Sequence, residues 1–446
     1  MSSQKIKILR KNQRAGRSNL DNYILFSIGL VLVFFLAGCS QNNPTGPNSS
    51  PAIIKGRVEG NSGMNKASST SSGVQGATVI LTEVRADGSF QTISNAAVQT
   101  DVDGKFTLET NVNGNSDLMV IATKDSSQWM AVVASTVNSN STVYVRPLDD
   151  ESTVMASIFI KAKADNYTNV SYTGIENYIN ANIAAQIKGN SSLISETAAS
   201  LNSEANAEAA SSSAMGISQT QWQAIINAQE TAQANLDEDL YNSSSPGDSN
   251  AYNIYYQSLI NAYVSSGVSA DTYGKLMVIS NNTLLKSTAK FNSQLSFYFE
   301  QSAAYLQAKI TSYAVQAKFM TMGATNTEIE ALANANTALC SSIKNDSQSN
   351  EIDNDFSNYQ VQVLAELKLI FNNNQAAITA ISSSTKLFDS TFESEISSSS
   401  STDDMITAYN NFYSNVNSSV AASLGTDNQS QLKAMTDTMV LVYGSN

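Results

Sequence analysis

Histidine is absent from the 446 residues of this chain. That absence excludes Ser-His-Asp and Cys-His catalysis and every imidazole-ligated metal. Cysteine is almost absent too. Only Cys39 and Cys340 occur, so there is no disulfide framework and no thiolate metal cluster. Charged residues make up 14% of the chain, below the usual quarter, and Ser, Asn, Thr and Gln supply the polar surface instead. Neither a G-x-S-x-G elbow nor a G-x-x-x-x-G-K-[ST] phosphate loop is present. Proline is scarce, and three of its five occurrences fall between Ser40 and Pro51.

What is present begins at the N-terminus. Lys5, Lys7, Arg10, Lys11, Arg14 and Arg17 precede the 15-residue apolar run Tyr23 to Ala37, which closes on Leu36-Ala37-Gly38-Cys39. Basic, then apolar, then small residues before a cut is the order of an export signal. The tetrapeptide resembles the lipobox of bacterial lipoproteins. That resemblance implies cleavage between Gly38 and Cys39, with a diacylglycerol thioether on Cys39 and often an acyl group, such as palmitate, on its new amine. Two or three acyl chains hold a protein durably, at roughly 0.8 kcal/mol per buried methylene. An uncleaved anchor is the other reading, but a spanning helix needs about 20 residues. Ser40 and Gln41 follow the cysteine, and the lack of Asp at the second position implies, by the same resemblance, the outer membrane or cell surface.

Six of the 25 basic residues and one of the 38 acids lie before Cys39, which leaves 19 and 37 and a net charge of −18. Such a body repels phosphate backbones and anionic headgroups, so nucleic acid is excluded as a partner. Ser40 to Pro51, SQNNPTGPNSSP, reads as a tether with no means of packing.

From Pro51 to about Asp150 short β-prone runs alternate with turn residues: IIKGRV (53–58), ATVILTEV (77–84), FQTISNAAVQT (90–100), KFTLET (105–110), LMVIAT (118–123), MAVVASTV (130–137) and STVYVRPL (141–148). Asp87-Gly88, Asp103-Gly104 and Asn113-Gly114 mark turns, and Glu59 to Gly73, rich in Ser and Gly, marks a loop. Seven short strands predict an antiparallel β-sandwich. The pieces Ile54-Lys55-Gly56-Arg57-Val58, Val74-Gln75-Gly76-Ala77-Thr78-Val79 and Thr100-Asp101-Val102-Asp103-Gly104-Lys105-Phe106-Thr107-Leu108 resemble, in order, the carboxypeptidase regulatory-like domain, a transthyretin-like sandwich. The resemblance covers about a fifth of the chain. It implies a non-catalytic module that serves as folding partner or spacer, and in some cases binds glycan or protein.

After Glu151 the pattern is helical. Capping boxes appear at Ser218/Gln221, Thr325/Glu328 and Thr426/Gln429. Leu295, Phe299, Ala303, Leu306, Ile310, Tyr313, Ala317 and Met320 recur at steps of three and four and predict one buried helix face. Tyr252, Tyr255, Tyr256, Leu259 and Tyr263 form a second stripe, and Val361, Val363, Leu364, Leu367, Ile370 and Phe371 a third. Gly323-Ala324 and Pro246-Gly247 read as inter-helix turns. The Ser-rich stretches 197–213 and 397–402 are soft points, and alanine tilts the first toward helix. The fold class expected is thus multidomain α+β: signal 1–38, lipidated cysteine and tether 39–51, sandwich 52–150, and a large all-α bundle 151–446.

Candidate chemistry is thin. Ser341/Lys344 and Ser383/Lys386 have S-x-x-K spacing, but serine is abundant and no K-T-G accompanies them. Asp101-Val102-Asp103-Gly104 places its glycine too early for a calcium loop and reads as a hairpin turn. The run Asp346 to Asn350, with Asp353 and Asp355, reads as an interhelical loop whose Asp or Ser caps the next helix. Asp237, Glu238 and Asp239 fan around a helix as a solvated face. The Tyr252–Tyr263 group, Trp129 at a strand end, Trp222 near a helix start and Cys340 all read as packing. No residues are assigned to catalysis, metal or cofactor. The expectation is a membrane-anchored lipoprotein of the cell envelope, binding protein or glycan or serving a structural role. A carboxylate-based glycan-acting enzyme and an inward-facing envelope-assembly factor are the alternatives.

Overall fold

The computed structural model describes residues 50–60, 73–93, 96–114, 117–243, 249–370, 374–424 and 430–444. The expected signal segment, Cys39, nearly all of the expected tether, most of the expected 59–73 loop, Pro246-Gly247, Phe371 and the expected Thr426/Gln429 box lie outside them. Pro51–Asn446 forms one compact unit.

The β region has eight strands in two sheets: β1 (Ala52–Arg57), β2 (Thr78–Val84), β3 (Phe90–Thr92), β4 (Val98–Gln99), β5 (Lys105–Thr110), β6 (Leu118–Lys124), β7 (Ser127–Val132) and β8 (Thr142–Tyr144). One sheet runs β5-β1-β8. The other runs β3-β2-β6-β7, with β4 also on β2. This corrects the expected sandwich of seven antiparallel strands in two respects. The run 90–100 splits, β3 pairing Thr82–Val84 and β4 pairing Thr78–Val79. And β8 lies parallel to β1, since the chain returns through Val145 and Leu148, whose amides donate to Lys55 and Arg57 carbonyls.

Period-2 alternation explains how the sheets are buried. Ile54, Phe106, Leu108 and Val143 of the first sheet share one apolar core with Val79, Leu81, Val120 and Ala131 of the second. Phe106 and Leu108 do point to one face, as the Asp103-Gly104 turn requires. Gly56 is needed here, because a Cβ on it would lie 2.4 Å from the Phe106 ring. Gly104 turns at φ +76°, closed by its amide on the Asp101 carbonyl at 3.0 Å. The continuous run in β6 has a separate cause. Leu118, Val120 and Ala122 face the sheet core, while Met119 and Ile121 face helices.

Thirteen helices are formed among the described residues. α1 (Asp150–Ala164) starts at an Asp149/Ser152 capping box and packs on β7, where Thr153 Oγ1 accepts from the Met130 amide at 3.1 Å. α2 (Tyr172–Tyr178), α3 (Ala181–Ile187), α4 (Ser191–Ala214), α5 (Gln219–Asn242), α6 (Ser249–Ser265) and α7 (Ala270–Thr288) follow. Then come α8 (Ser293–Thr321), α9 (Asn326–Asn345), α10 (Ser349–Ile370), α11 (Gln375–Ser398), α12 (Thr402–Leu424) and α13 (Ser430–Tyr443). The stretch 197–213 is helix α4, and 397–402 spans the break between α11 and α12. The capping boxes at Ser218 and Thr325 form, and Gly323 closes α8 at φ +86°.

Two helical cores result. The first joins α1–α7 to the helix-facing side of the second sheet; the other gathers α9–α13. α8 belongs to both. Its Leu295, Phe299, Leu306 and Ile310 are buried in the first core, each contributing roughly 1.5–3 kcal/mol. Toward its end the buried side becomes Val315 and Phe319, in the second core. The predicted stripe therefore fades: Tyr313 and Ala317 are half-buried and Met320 is 56% exposed. The period is right, but the partner helices change. On α10, Val363 and Leu367 are buried, whereas Val361 is exposed.

Candidate functional site

The residues singled out for chemistry are dispersed. Gly38 and Cys39 lie outside the described residues. Cys340 is buried on α9, its thiol 3.6 Å from Asn336 Oδ1, and burial pushes it up to about 11. It is a protonated packing group at neutral pH. Ser341 and Ser383 are exposed on two different helices, so the S-x-x-K tetrads share no site. Asp101 Oδ1 accepts from the Asp103 and Lys105 amides at 2.9 and 2.8 Å, which makes it a turn acceptor. Asp346 ends α9. Burial, then Asp355 and Glu351, push its carboxyl up to about 6. The interhelical loop is shorter than expected, since Asp353 and Asp355 lie on α10, and from the first turn of that helix Glu351 accepts from the Ser347 amide at 2.6 Å. Tyr255, Tyr256, Leu259 and Tyr263 are core, with Tyr252 half-buried. Trp222 is half-buried near the start of α5, while Trp129 is buried mid-strand in β7 rather than at its end.

One reading is overturned. Asp237 is not on a solvated face: it is fully buried in α5, while Glu238 and Asp239 are exposed. The face it occupies carries Gln233, Leu236 and Leu240, a stripe in which an acid replaces an apolar residue. Gln233 Nε2 donates to Asp237 Oδ1 at 3.1 Å. Burial, then the charge of Glu176, holds this carboxyl well above its ordinary value. Nearby, Arg146 leaves β8 fully buried and binds Glu176 of α2 through Nη1 and Glu151 of α1 through Nη2, the latter at 3.0 Å. Tyr252 of α6 donates to Glu176 Oε1 at 3.4 Å. One guanidinium thus ties the end of the β region to α1 and α2, and Tyr252 joins α6 to them through Glu176.

A second buried network holds no cation. Glu204 and Glu208 lie one turn apart on α4. The Tyr178 hydroxyl is 3.1 Å from Glu204 Oε1 and 2.8 Å from Asn281 Oδ1. Asn281 Nδ2 donates to Gln307 Oε1 at 3.1 Å, and Gln307 Nε2 to Thr311 at 3.1 Å. Tyr263 donates to Glu208 and stacks on Tyr273, centroids 3.8 Å apart. Burial, then the neighbouring Glu208, pushes Glu204 up to about 8; burial also raises Glu208. The chemistry this permits is storage of a proton between two carboxyls in a site only 4% open at Glu204. Sequence reasoning missed this pair. The signal was there: Thr197, Leu201, Glu204, Glu208 and Ser211 recur at steps of four and three, the pattern of an inward face.

Concavities on the surface of the described residues include the following three. A groove of about 530 Å³ between α11 and α12 is lined by Thr379, Ser383, Ser384 and Ser419 with Ala376 and Leu387. A cleft of about 100 Å³ between α7, α8 and α10 carries Asn281, Glu300 and Asp353. A third, of about 210 Å³, lies where the chain leaving β7 meets α1, α2 and α5. None of the three has Glu204, Glu208 or Asp237 in its wall. No group of three His, Cys, Asp or Glu placed for a metal ion occurs among the described residues. No helix among them is long and apolar enough to cross a membrane. Comparison of the chain with protein-family models, with curated proteins and with solved structures gives no match.

Proposed function

We propose that this chain is an extracytoplasmic lipoprotein, held to a membrane by acyl chains on Cys39, whose body binds or supports other envelope components without catalysis. One observation carries the reading: Leu36-Ala37-Gly38-Cys39 closes a 15-residue apolar run preceded by six basic residues. The lipid supplies location and the body supplies contact area. The outer membrane is the proposed address, from Ser40 and Gln41 after the cysteine. The β region is proposed as a variant of the carboxypeptidase regulatory-like sandwich. The three resembling pieces map to β1, to the entry of β2 and to the turn leading into β5, and the shared core of the two sheets supports the assignment.

The non-catalytic part is supported by how the acids are used. Glu176, Glu204 and Glu208 bind side chains of other elements, Asp237 binds Gln233 on its own helix, and burial raises Asp237, Glu204 and Glu208 above their ordinary values. A glycosidase needs two carboxyls facing a substrate across an open cleft. Metabolic labelling with palmitate and membrane fractionation test the anchor. The native chain is expected to take up label and sediment with membranes, and Cys39→Ser to do neither. An unlabelled, freely soluble native chain would sink the proposal.

A further inference from the structure

We propose that the groove between the exit of β7 and helices α1, α2 and α5 binds a small alkylammonium ion, with Glu230 as its counter-charge. The groove holds about 210 Å³, enough for a molecule of the size of lysine. One side of it is apolar, from Val132, Phe159 and Val170, and suits methylene groups. Three charged side chains line the rest. Lys163 Nζ lies 2.8 Å from Asp117 Oδ2, so those two charges offset each other. Glu230 of α5 is half-buried and has neither a hydrogen bond nor an ion pair among the described residues. The lining therefore has one net negative charge, on a carboxylate that has lost part of its hydration with nothing in exchange.

Further observations point to a cation. The Phe159 ring already draws a cation, with Lys163 Nζ 5.4 Å from its centroid. The net charge of −18 beyond Gly38 raises the local concentration of cations. A hydrated divalent metal is a poor occupant, since one free carboxylate and an apolar wall offer too few oxygen ligands. An ammonium head on a short carbon stem suits both sides of the groove: its N–H groups donate to Glu230 and its methylenes cover Val132 and Val170.

This deepens the reading of the body as a binding unit and is independent of the lipid. Palmitate labelling and ligand binding can each fail without the other. The test uses the full-length chain in uncharged detergent, titrated with 1,5-diaminopentane and, in parallel, with the neutral isostere 1,5-pentanediol, followed by saturation-transfer NMR. Saturable binding of the diamine and none of the diol is expected. Glu230→Gln, whose half-exposed position lets it fold, should weaken binding about tenfold or more, the loss of a charge-assisted hydrogen bond. Glu238→Gln, an exposed acid on the same helix, should leave it unchanged. Lys163→Met, which frees Asp117, should tighten it. Equal binding by Glu230→Gln, equal binding of the diol, or no saturable diamine signal would each overturn the proposal.

Discussion

The two buried polar networks share depth and composition but differ in one charge. Around Arg146 a guanidinium faces Glu176 and Glu151, with Asp237, its carboxyl held well above its ordinary value, beside them. Around Glu204 there are two carboxyls, three tyrosines and two amides, and no cation. The difference teaches that burial alone does not decide the state of an acid. Glu176 has a guanidinium against it, whereas Glu204 has no cation and burial pushes its carboxyl up to about 8.

The sharpest way to break the comparison is to remove the cation. Arg146→Met leaves Glu176 buried without compensation. It should cost about 3–5 kcal/mol of stability, read as a lower urea midpoint, and an unchanged midpoint would mean the pair is not formed. Next comes the proton on Glu204. Its folded value near 8 lies above its ordinary 4.5, so the folded state holds the proton more tightly than the unfolded chain. Stability should therefore fall as pH rises from about 4.5 to about 8, and flatten above. Glu204→Gln should remove its share of that slope, leaving what Glu208, Asp237, Asp346 and Asp389 contribute, and leave the variant more stable than the native chain at pH 9, by on the order of 3 kcal/mol. Parallel pH profiles of native and variant would contradict it.

A smaller effect sharpens the same contrast. Tyr178→Phe removes one hydroxyl shared by Glu204 and Asn281, and should cost about 1–1.5 kcal/mol by thermal melting. The smallest is a control outside both networks. Lys188 and Asp150 lie 2.6 Å apart with side chains 46% and 36% exposed. Lys188→Ala should change stability by no more than about 0.5 kcal/mol, and a larger loss would show that surface pairs matter here as much as buried ones.

The regions also differ in how much of them could be read from the chain. Strand positions were legible because Asp87-Gly88 and Asp103-Gly104 are local signals. The split of 90–100 was not, since it depends on β2 offering two separate stretches of edge. Helix starts at Ser218 and Thr325 were legible for the same local reason. The loss of the α8 stripe after Ile310 was not, because a helix face carries no mark of which neighbour will cover it. The buried acids were hidden by habit of reading: Asp237 sits beside two exposed acids and looked like their equal. Only the Gln233-Leu236-Leu240 spacing separates it from them. Of the candidate groove, no part was legible. Asp117, Lys163 and Glu230 are 113 residues apart at the extremes and meet only through tertiary packing.

The parallel pairing of β8 beside β1 has a mechanical consequence. A load applied at Pro51 runs along β1, which is bonded to β5 on one edge and to β8 on the other. Tension directed along a strand stresses its ladder bonds together, in shear, instead of peeling them one at a time. From β8 the pull passes within a few residues to Arg146 and the first turn of α1. The strand that opens the described body is thus built as a grip, and the helices that follow β8 are what it grips.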